Sequence, residues 1–253
     1  MSNNTNPFYL ILFVFALLLS NVVSANVALS KYRIFFDSNS RSESLQLRNT
    51  GDSPIKYTAE LDLNTMTEEG SIYLVSEDPF SALDLIRFSP KRGVIQPGER
   101  QAIRFALRKP SGLEHGEYRA IVRISSELAP TKGGNVNLAS KLAYSIPIIV
   151  RHGEVFVESA LLEPSTVMHN GTLHVQVWVS RQGNRSLYGN FSVETPEGKV
   201  LGLMNNVGVY RPLERRRVLI PLQEVESGPI IVKFTENKKF GGNLVLAIEH
   251  NLE

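Results

Sequence analysis

Apolar and polar residues alternate with a period of two along much of the chain. The odd-numbered positions of residues 55–63 are apolar and the even-numbered ones polar, and the even-numbered positions of residues 118–124 are again apolar. The odd-numbered positions of residues 173–179 repeat the pattern. Such alternation predicts strands that bury one face, and no long stretch shows the 3.6-residue period of a helix. The sequence therefore predicts an all-β protein.

Turn-forming residues separate these runs. Examples are Gln96-Pro97-Gly98, residues 132–134 (KGG), residues 181–184 (RQGN) and residues 239–242 (KFGG). Strands joined by turns without helices between them form antiparallel sheets, and in chains of this length the sheets pack as sandwiches. About seven strand-like runs precede Arg151 and about as many follow it. A sandwich domain of this size has about seven strands, so each side of Arg151 supplies enough strands for one sandwich. We expect a first domain over residues 26–150, a linker over 151–154 and a second domain over 155–253.

The first 25 residues resemble a secretory signal peptide. Residues 8–19 (FYLILFVFALLL) are apolar, and Val23-Ser24-Ala25 supplies small residues where a signal peptidase cuts. The apolar stretch is short for a membrane span, which needs about 20 residues. Residues 1–7 contain no Lys or Arg, which leaves an uncleaved anchor as the alternative. We expect cleavage after Ala25, a mature protein that begins at Asn26, no stable membrane insertion, and a location outside the cytoplasm.

Composition excludes several classes of function. The chain has 253 residues, no cysteine and a formal net charge of +2, so disulfides and thiolate metal sites are excluded and nucleic-acid binding is not indicated. The one basic run, Arg215-Arg216-Arg217, fits either a solvated strand edge or a contact with an acidic partner. The five histidines lack metal-ligand spacing, and no nucleophile or phosphate-loop motif is present. We expect a non-enzyme with no cofactor, metal or small-molecule substrate.

Residues 136–150 form a strand-compatible run that is longer than a sandwich of this size needs. A long strand with an apolar row at a sheet edge invites pairing with another chain, although an ordinary core strand fits the periodicity too. Ser140 interrupts the row. The apolar row comprises Val136, Leu138, Leu142, Tyr144 and Ile146.

Four motifs, taken in order, resemble the periplasmic chaperones of chaperone–usher pili. Arg33 precedes Ile34-Phe35-Phe36-Asp37 on the first strand, and residues 88–104 (FSPKRGVIQPGERQAIR) carry a proline, an apolar pair, a Pro-Gly turn and the Q-x-[IV]-R strand. Residues 116–119 (GEYR) and residues 146–151 (IPIIVR) follow. The resemblance covers the chain after the signal peptide and implies two immunoglobulin-like sandwiches set at an angle. The forms of the last two motifs resemble the archaic or alternate branch of the family.

The resemblance also implies a mechanism. Members of the family complete a pilus subunit by lending it a β-strand, and here Val136, Leu138, Leu142 and Tyr144 would fill the subunit's pockets. They anchor the subunit's C-terminal carboxylate on a basic pair, whose first member matches Arg33.

The second member of this basic pair is normally a Lys, but here Pro147 stands in its place. Arg119 is the first candidate to replace that charge, and Lys141 the second.

Further residues match the family's domain junction. Glu117 and Arg151 correspond to an interdomain ion pair, and the family's third, acidic member has Glu236 as its nearest equivalent here. The resulting hypothesis is a periplasmic chaperone whose partners are pilus subunits and an outer-membrane usher. The rival hypothesis is a structural or adhesive immunoglobulin-like surface module.

Overall fold

The structure, a computed structural model, describes residues 27–129 and 141–252. Within these ranges the chain is built from strands, with one short 3₁₀ helix and no α-helix. The first ten strands are β1 (Val27–Leu29), β2 (Ile34–Phe36), β3 (Ser42–Asn49), β4 (Ile55–Met66), β5 (Ile72–Val75), β6 (Ile86–Ser89), β7 (Arg92–Ile95), β8 (Arg100–Leu107), β9 (Gly116–Leu128) and β10 (Leu142–His152).

Nine further strands follow these ten. They are β11 (Val157–Glu158), β12 (Leu161–His169), β13 (Thr172–Ser180), β14 (Gln182–Gly183), β15 (Leu187–Glu194), β16 (Val200–Val209), β17 (Arg215–Pro221), β18 (Gly228–Glu236) and β19 (Val245–Leu252), with helix η1 (Lys238–Phe240) between the last two.

Strands β1 to β10 form a sandwich of two sheets. One sheet has the order β1-β3-β8-β6, and the other has the order β2-β10-β9-β4-β5 with β7 also paired to β4. All pairs are antiparallel except β2 with β10. The alternation in β4 produces the expected pattern, because Ile55, Tyr57 and Ala59 are buried while Lys56 and Glu60 are exposed.

Strands β11 to β19 form a second sandwich. Its sheets have the orders β12-β13-β17 and β16-β15-β18-β19, and β11 pairs with β14 beside them. A continuous core including Val175, Val177, Phe191, Val232 and Phe234 lies between the sheets. The core of the first sandwich ends at Val150 and the core of the second begins at Leu161, so the two cores lie on either side of residues 151–154.

The prediction of an all-β chain with two sandwiches is confirmed. The predicted signal peptide, residues 1–25, lies outside the described residues, as do Val136 and Leu138 of the predicted donor row. In the described ranges no helix is long and apolar enough to cross a membrane. The same ranges contain no group of three or more His, Asp or Glu side chains arranged to hold a metal ion.

Candidate functional site

Strand β10 has one paired and one unpaired edge over its first half. It pairs with β9 along its whole length, from Leu142 opposite Ser126 to His152 opposite Gly116. Its other edge pairs with β2 only between Ile148 and Val150. Among the described strands none pairs with that edge over residues 142–147. Pro147, which has no N–H, lies at the boundary between the unpaired and the paired halves.

The side chains of this half-strand alternate as the sequence predicted. Leu142 and Tyr144 are half-buried and Ile146 is buried, whereas Ala143 and Ser145 are exposed. Tyr144 packs against the first core, and its hydroxyl donates to the carbonyl oxygen of Val27 at 2.9 Å. Of the four predicted donor residues, Leu142 and Tyr144 therefore lie on the strand with the unpaired edge.

Arg33 lies where the unpaired edge begins. The parallel register places Ile34 opposite Ile148, so the residue before β2 is opposite Pro147. The guanidinium is held by aromatic rings of the second domain, since it lies 3.7 Å from the centroid of Tyr188 and its Nη2 donates to the hydroxyl of Tyr210. Its Nε has no hydrogen-bond partner among the described residues. Stacking on aromatic rings suits a planar guanidinium and fixes its orientation.

A cleft of about 570 Å³ opens beside Arg33 between the two domains. Two further cations line it, Lys31 from the first domain and Lys239 from helix η1 of the second. Lys31 is neutralised by Glu43, whose Oε2 lies 2.6 Å from Nζ. Lys239 makes no ion pair with any described residue, so it is the free cation that shares the cleft with Arg33. No sequence pattern connects Lys239 with Arg33, because 206 positions separate them and periodicity reports only local structure.

Arg119 does not line this cleft, although its guanidinium lies 4.9 Å from the ring centroid of Tyr210, and its role as the second anchor stays a prediction. Arg119 is 4% exposed, and its Nη2 donates to the carbonyl oxygen of Arg211 at 2.6 Å and lies 3.5 Å from Asp78. Burial lowers the pKa of Arg119, while Glu117 and Asp78 oppose that shift. Its contacts assign it to the packing of the two domains. Lys141 lies just before the first residue of β10, six positions before Pro147, and does not line the cleft either.

Glu117 and Arg151 meet in the junction. Arg151 Nε lies 3.0 Å from Glu117 Oε2, and the Glu117 side chain is 1% exposed. Arg151 Nη1 also donates to the carbonyl oxygens of Phe240 and Gly241 in the second domain, both at 3.1 Å. The Gly-Gly turn therefore contributes backbone oxygens where the resemblance implied an acid.

Glu236, the nearest acid to that turn, pairs instead with Arg185. Its two carboxylate oxygens lie 2.6 and 3.0 Å from Nη1 and Nη2 of Arg185, and it also accepts from the backbone N–H groups of Asn243 and Leu244. This bidentate pair is buried in the second domain and holds the turn from within it.

Other junction residues gave no signal in the sequence. Arg211 lies 3.5 Å from the ring centroid of Phe80 and donates to the carbonyl oxygens of Glu117 and Asn184. Of the basic run, Arg215 lies 3.0 Å from Glu68 in the turn after β4. Arg215 therefore forms an ion pair within the chain while its side chain stays 55% exposed.

The comparisons with known proteins support this architecture. No protein-family model matches the sequence, and no curated protein does. Among solved structures, the YadV chaperone matches with a TM-score of 0.51 at 12% identity, over 89% of this chain and 99% of that one. The chain has the fold of the pilus chaperones.

Two further matches extend the comparison. A chain of the CsuC–CsuE complex, a chaperone with a tip subunit from archaic Csu pili of Acinetobacter baumannii, matches with a TM-score of 0.50 at 13% identity, over 89% of this chain and 98% of that one. The periplasmic chaperone SfaE has the same TM-score, identity and shares. The resemblance read from the motifs is confirmed at the level of fold.

Proposed function

We propose that this protein is a periplasmic chaperone that captures pilus subunits by adding β10 to them and delivers them to an outer-membrane usher. The observation that carries the proposal is the unpaired edge of β10 over residues 142–147, which ends opposite Arg33. An edge with free N–H and C=O groups beside a fixed cation is what an extended peptide with a terminal carboxylate requires.

The register gives the partner strand a direction. β2 runs parallel to β10, and its first residue lies opposite Ile148. A partner strand beside residues 142–146 would therefore lie in line with β2, before its N-terminal end. A strand whose C-terminal carboxylate lies at Arg33 must therefore run parallel to β10. Since Pro147 has no N–H, the usable edge within the described part of the chain is residues 142–146, or roughly 17 Å.

The cleft supplies charge for the carboxylate of the subunit. Arg33 offers a planar fork held by Tyr188 and Tyr210, and its Nε is without a partner among the described residues. Lys239 takes the place of the Lys that Pro147 replaces, now from the second domain. The donor row then provides Leu142 and Tyr144, and Val136 and Leu138 belong to the same proposal as residues outside the described ranges.

The role of Arg33 as the carboxylate anchor is tested by binding measurements. A candidate subunit is co-expressed with the chain, separated from it and purified, and its affinity for the chain is then measured. Arg33→Ala is expected to weaken binding by roughly 10- to 150-fold, which corresponds to about 1.5–3 kcal/mol for a charge-assisted contact. Arg33→Lys should recover part of the loss because an ammonium lacks the two-pronged geometry. Arg48→Ala removes an exposed arginine of β3 and is the matched control.

Two further measurements separate the proposal from its rival. Leu142→Asp should abolish capture, while Val94→Asp, at an exposed apolar position on β7, should not. Binding a subunit with an amidated C-terminus as tightly as the free acid would show that Arg33 anchors no carboxylate. Absence of a complex with any subunit would leave the surface-module hypothesis as the better one.

A further inference from the structure

A second cavity, of about 400 Å³, lies on the first domain near the junction and has no role in the proposed capture of a subunit. It is lined by Ser38, Ser40, Arg41, Leu107, Lys109 and His152. Three of these side chains are basic, two carry hydroxyls and none is acidic. They come from the loop after β2, the end of β8 and the end of β10, so three separate segments converge on one space.

The two permanent cations of this cavity lack carboxylate partners. Neither Arg41 nor Lys109 forms an ion pair with any described residue. The Arg41 guanidinium makes no hydrogen bond to any of them either, although the Arg41 carbonyl oxygen accepts from the backbone N–H of Leu107 at 2.9 Å. The Nζ of Lys109 donates to the carbonyl oxygens of Ser38 and Arg151, at 3.3 and 3.4 Å. These two contacts fix the ammonium group and leave its third N–H available.

Asp37, a carboxylate that interacts with Lys109, is engaged in hydrogen bonds within its own loop. Its Oδ1 accepts from the backbone N–H groups of Asn39 and Ser40 and from the hydroxyl of Ser40. These hydrogen bonds, with a smaller contribution from Lys109, lower the pKa of Asp37, so it is ionised at neutral pH. Burial and the nearby Arg41 lower the pKa of Lys109, while Asp37 raises it. Asp37 offsets one positive charge without lining the cavity.

We propose that this cavity, formed by Ser38, Arg41, Lys109 and His152, binds a phosphate group. The donors suit a compact tetrahedral oxyanion, because the Arg41 fork, the Lys109 ammonium, the Ser38 hydroxyl and the His152 ring line one cavity from three segments of the chain. A carboxylate has two oxygens on one plane and would leave some of these donors unpaired. The group is either free phosphate or the phosphate of a lipid headgroup, and the chemistry of the site is the same for both.

Titration of the intact protein with inorganic phosphate tests the site. Two-dimensional NMR should show saturable shifts of the Ser38–Ser40 amides and of the His152 ring protons, with a Kd in the millimolar range or below. Lys109→Gln and Arg41→Gln should each weaken binding about tenfold or more, which is about 1.4 kcal/mol. Arg108→Gln removes an exposed neighbouring charge that does not line the cavity, and it should leave the Kd unchanged.

Vesicles of phosphatidylglycerol distinguish free phosphate from a lipid headgroup as the source of the phosphate group. Sedimentation of the wild type with these vesicles, lost in Lys109→Gln but kept in Arg108→Gln, would support the site with a lipid headgroup as its ligand. Saturable binding of inorganic phosphate without vesicle binding would support it with free phosphate. The proposal is overturned if phosphate produces no saturable shifts and the vesicles do not sediment the wild type, or if Lys109→Gln and Arg108→Gln weaken binding equally.

Discussion

Replacing Glu117 should destabilise the protein more than replacing any carboxylate in an exposed ion pair. Glu117 is 1% exposed and lies 3.0 Å from Arg151, which is itself buried. Glu117→Ala leaves that guanidinium in the junction without its counter-charge. Breaking a buried pair by removing one member costs about 3–5 kcal/mol. The loss should fall at the lower end, because Arg151 keeps the carbonyl oxygens of Phe240 and Gly241.

The chain contains a matched control for this experiment. Glu60 lies at the same 3.0 Å from Arg123, but its side chain is 64% exposed. Exposed pairs contribute about 0–1 kcal/mol, and Arg123 retains Asp62 at 3.2 Å when Glu60 is removed. The contrast between Glu117→Ala and Glu60→Ala therefore compares a buried with an exposed Glu–Arg pair at the same distance, each Arg keeping other acceptors.

Thermal and urea unfolding measure the difference. At roughly 2–4 °C per kcal/mol for a chain of this size, Glu117→Ala should lower the first unfolding midpoint by about 6–12 °C and Glu60→Ala by less than about 4 °C. Glu117→Gln keeps an acceptor for Arg151 and should fall between them. Equal shifts for Glu117→Ala and Glu60→Ala would refute the reasoning, because the junction would then be solvated.

Two other substitutions probe packing. The Tyr57 hydroxyl is buried without a hydrogen-bond partner among the described residues, so Tyr57→Phe should raise the free energy of unfolding by up to about 1 kcal/mol, and an equal loss in urea titrations would contradict this. Burial raises the pKa of Tyr57, so the unfolded phenol releases its proton first and wild-type stability should fall as pH rises past about 10, whereas Tyr57→Phe should lack this contribution. Gly189→Ala would drive a methyl group into the Thr235 carbonyl oxygen, and the resulting overpacking should destabilise the second domain by about 1–3 kcal/mol, which calorimetry would detect as an earlier melt. An unchanged melt would mean that β15 and β18 separate easily.

Periodicity predicted the strands well and the junction poorly, for one physical reason. In β4, the apolar residues Ile55 and Ala59 are buried and the polar residues Lys56 and Glu60 are exposed, as the alternation predicted. The prediction is right there because the outer face of the sheet meets water. In β9, Glu117 and Arg119 occupy the polar row, yet both are buried because the second domain covers that face. A period of two reports which face a side chain occupies and says nothing about what covers the face.

The site was predictable where one segment carries it and unpredictable where two domains build it. Leu142 and Tyr144 lie on the strand that the long apolar row indicated. The aromatic surroundings of Arg33, with Tyr188 and Tyr210, come from residues more than 150 positions away. No local pattern links them, because the contact exists only after both sandwiches have formed and packed together.

Strand β10 cannot slide along its own axis. Its first half carries the unpaired edge. Near its end lies Arg151, whose guanidinium is held by Glu117 and by two carbonyl oxygens of the second domain. A shift that keeps each side chain on its own face moves the strand by two residues, about 7 Å, and would remove Arg151 from all three contacts. Any partner strand that pairs with this edge must therefore adjust its own alignment to a fixed template. Errors of register would have to be corrected by release and rebinding of the partner, and the off-rate would limit how quickly a misaligned partner is replaced.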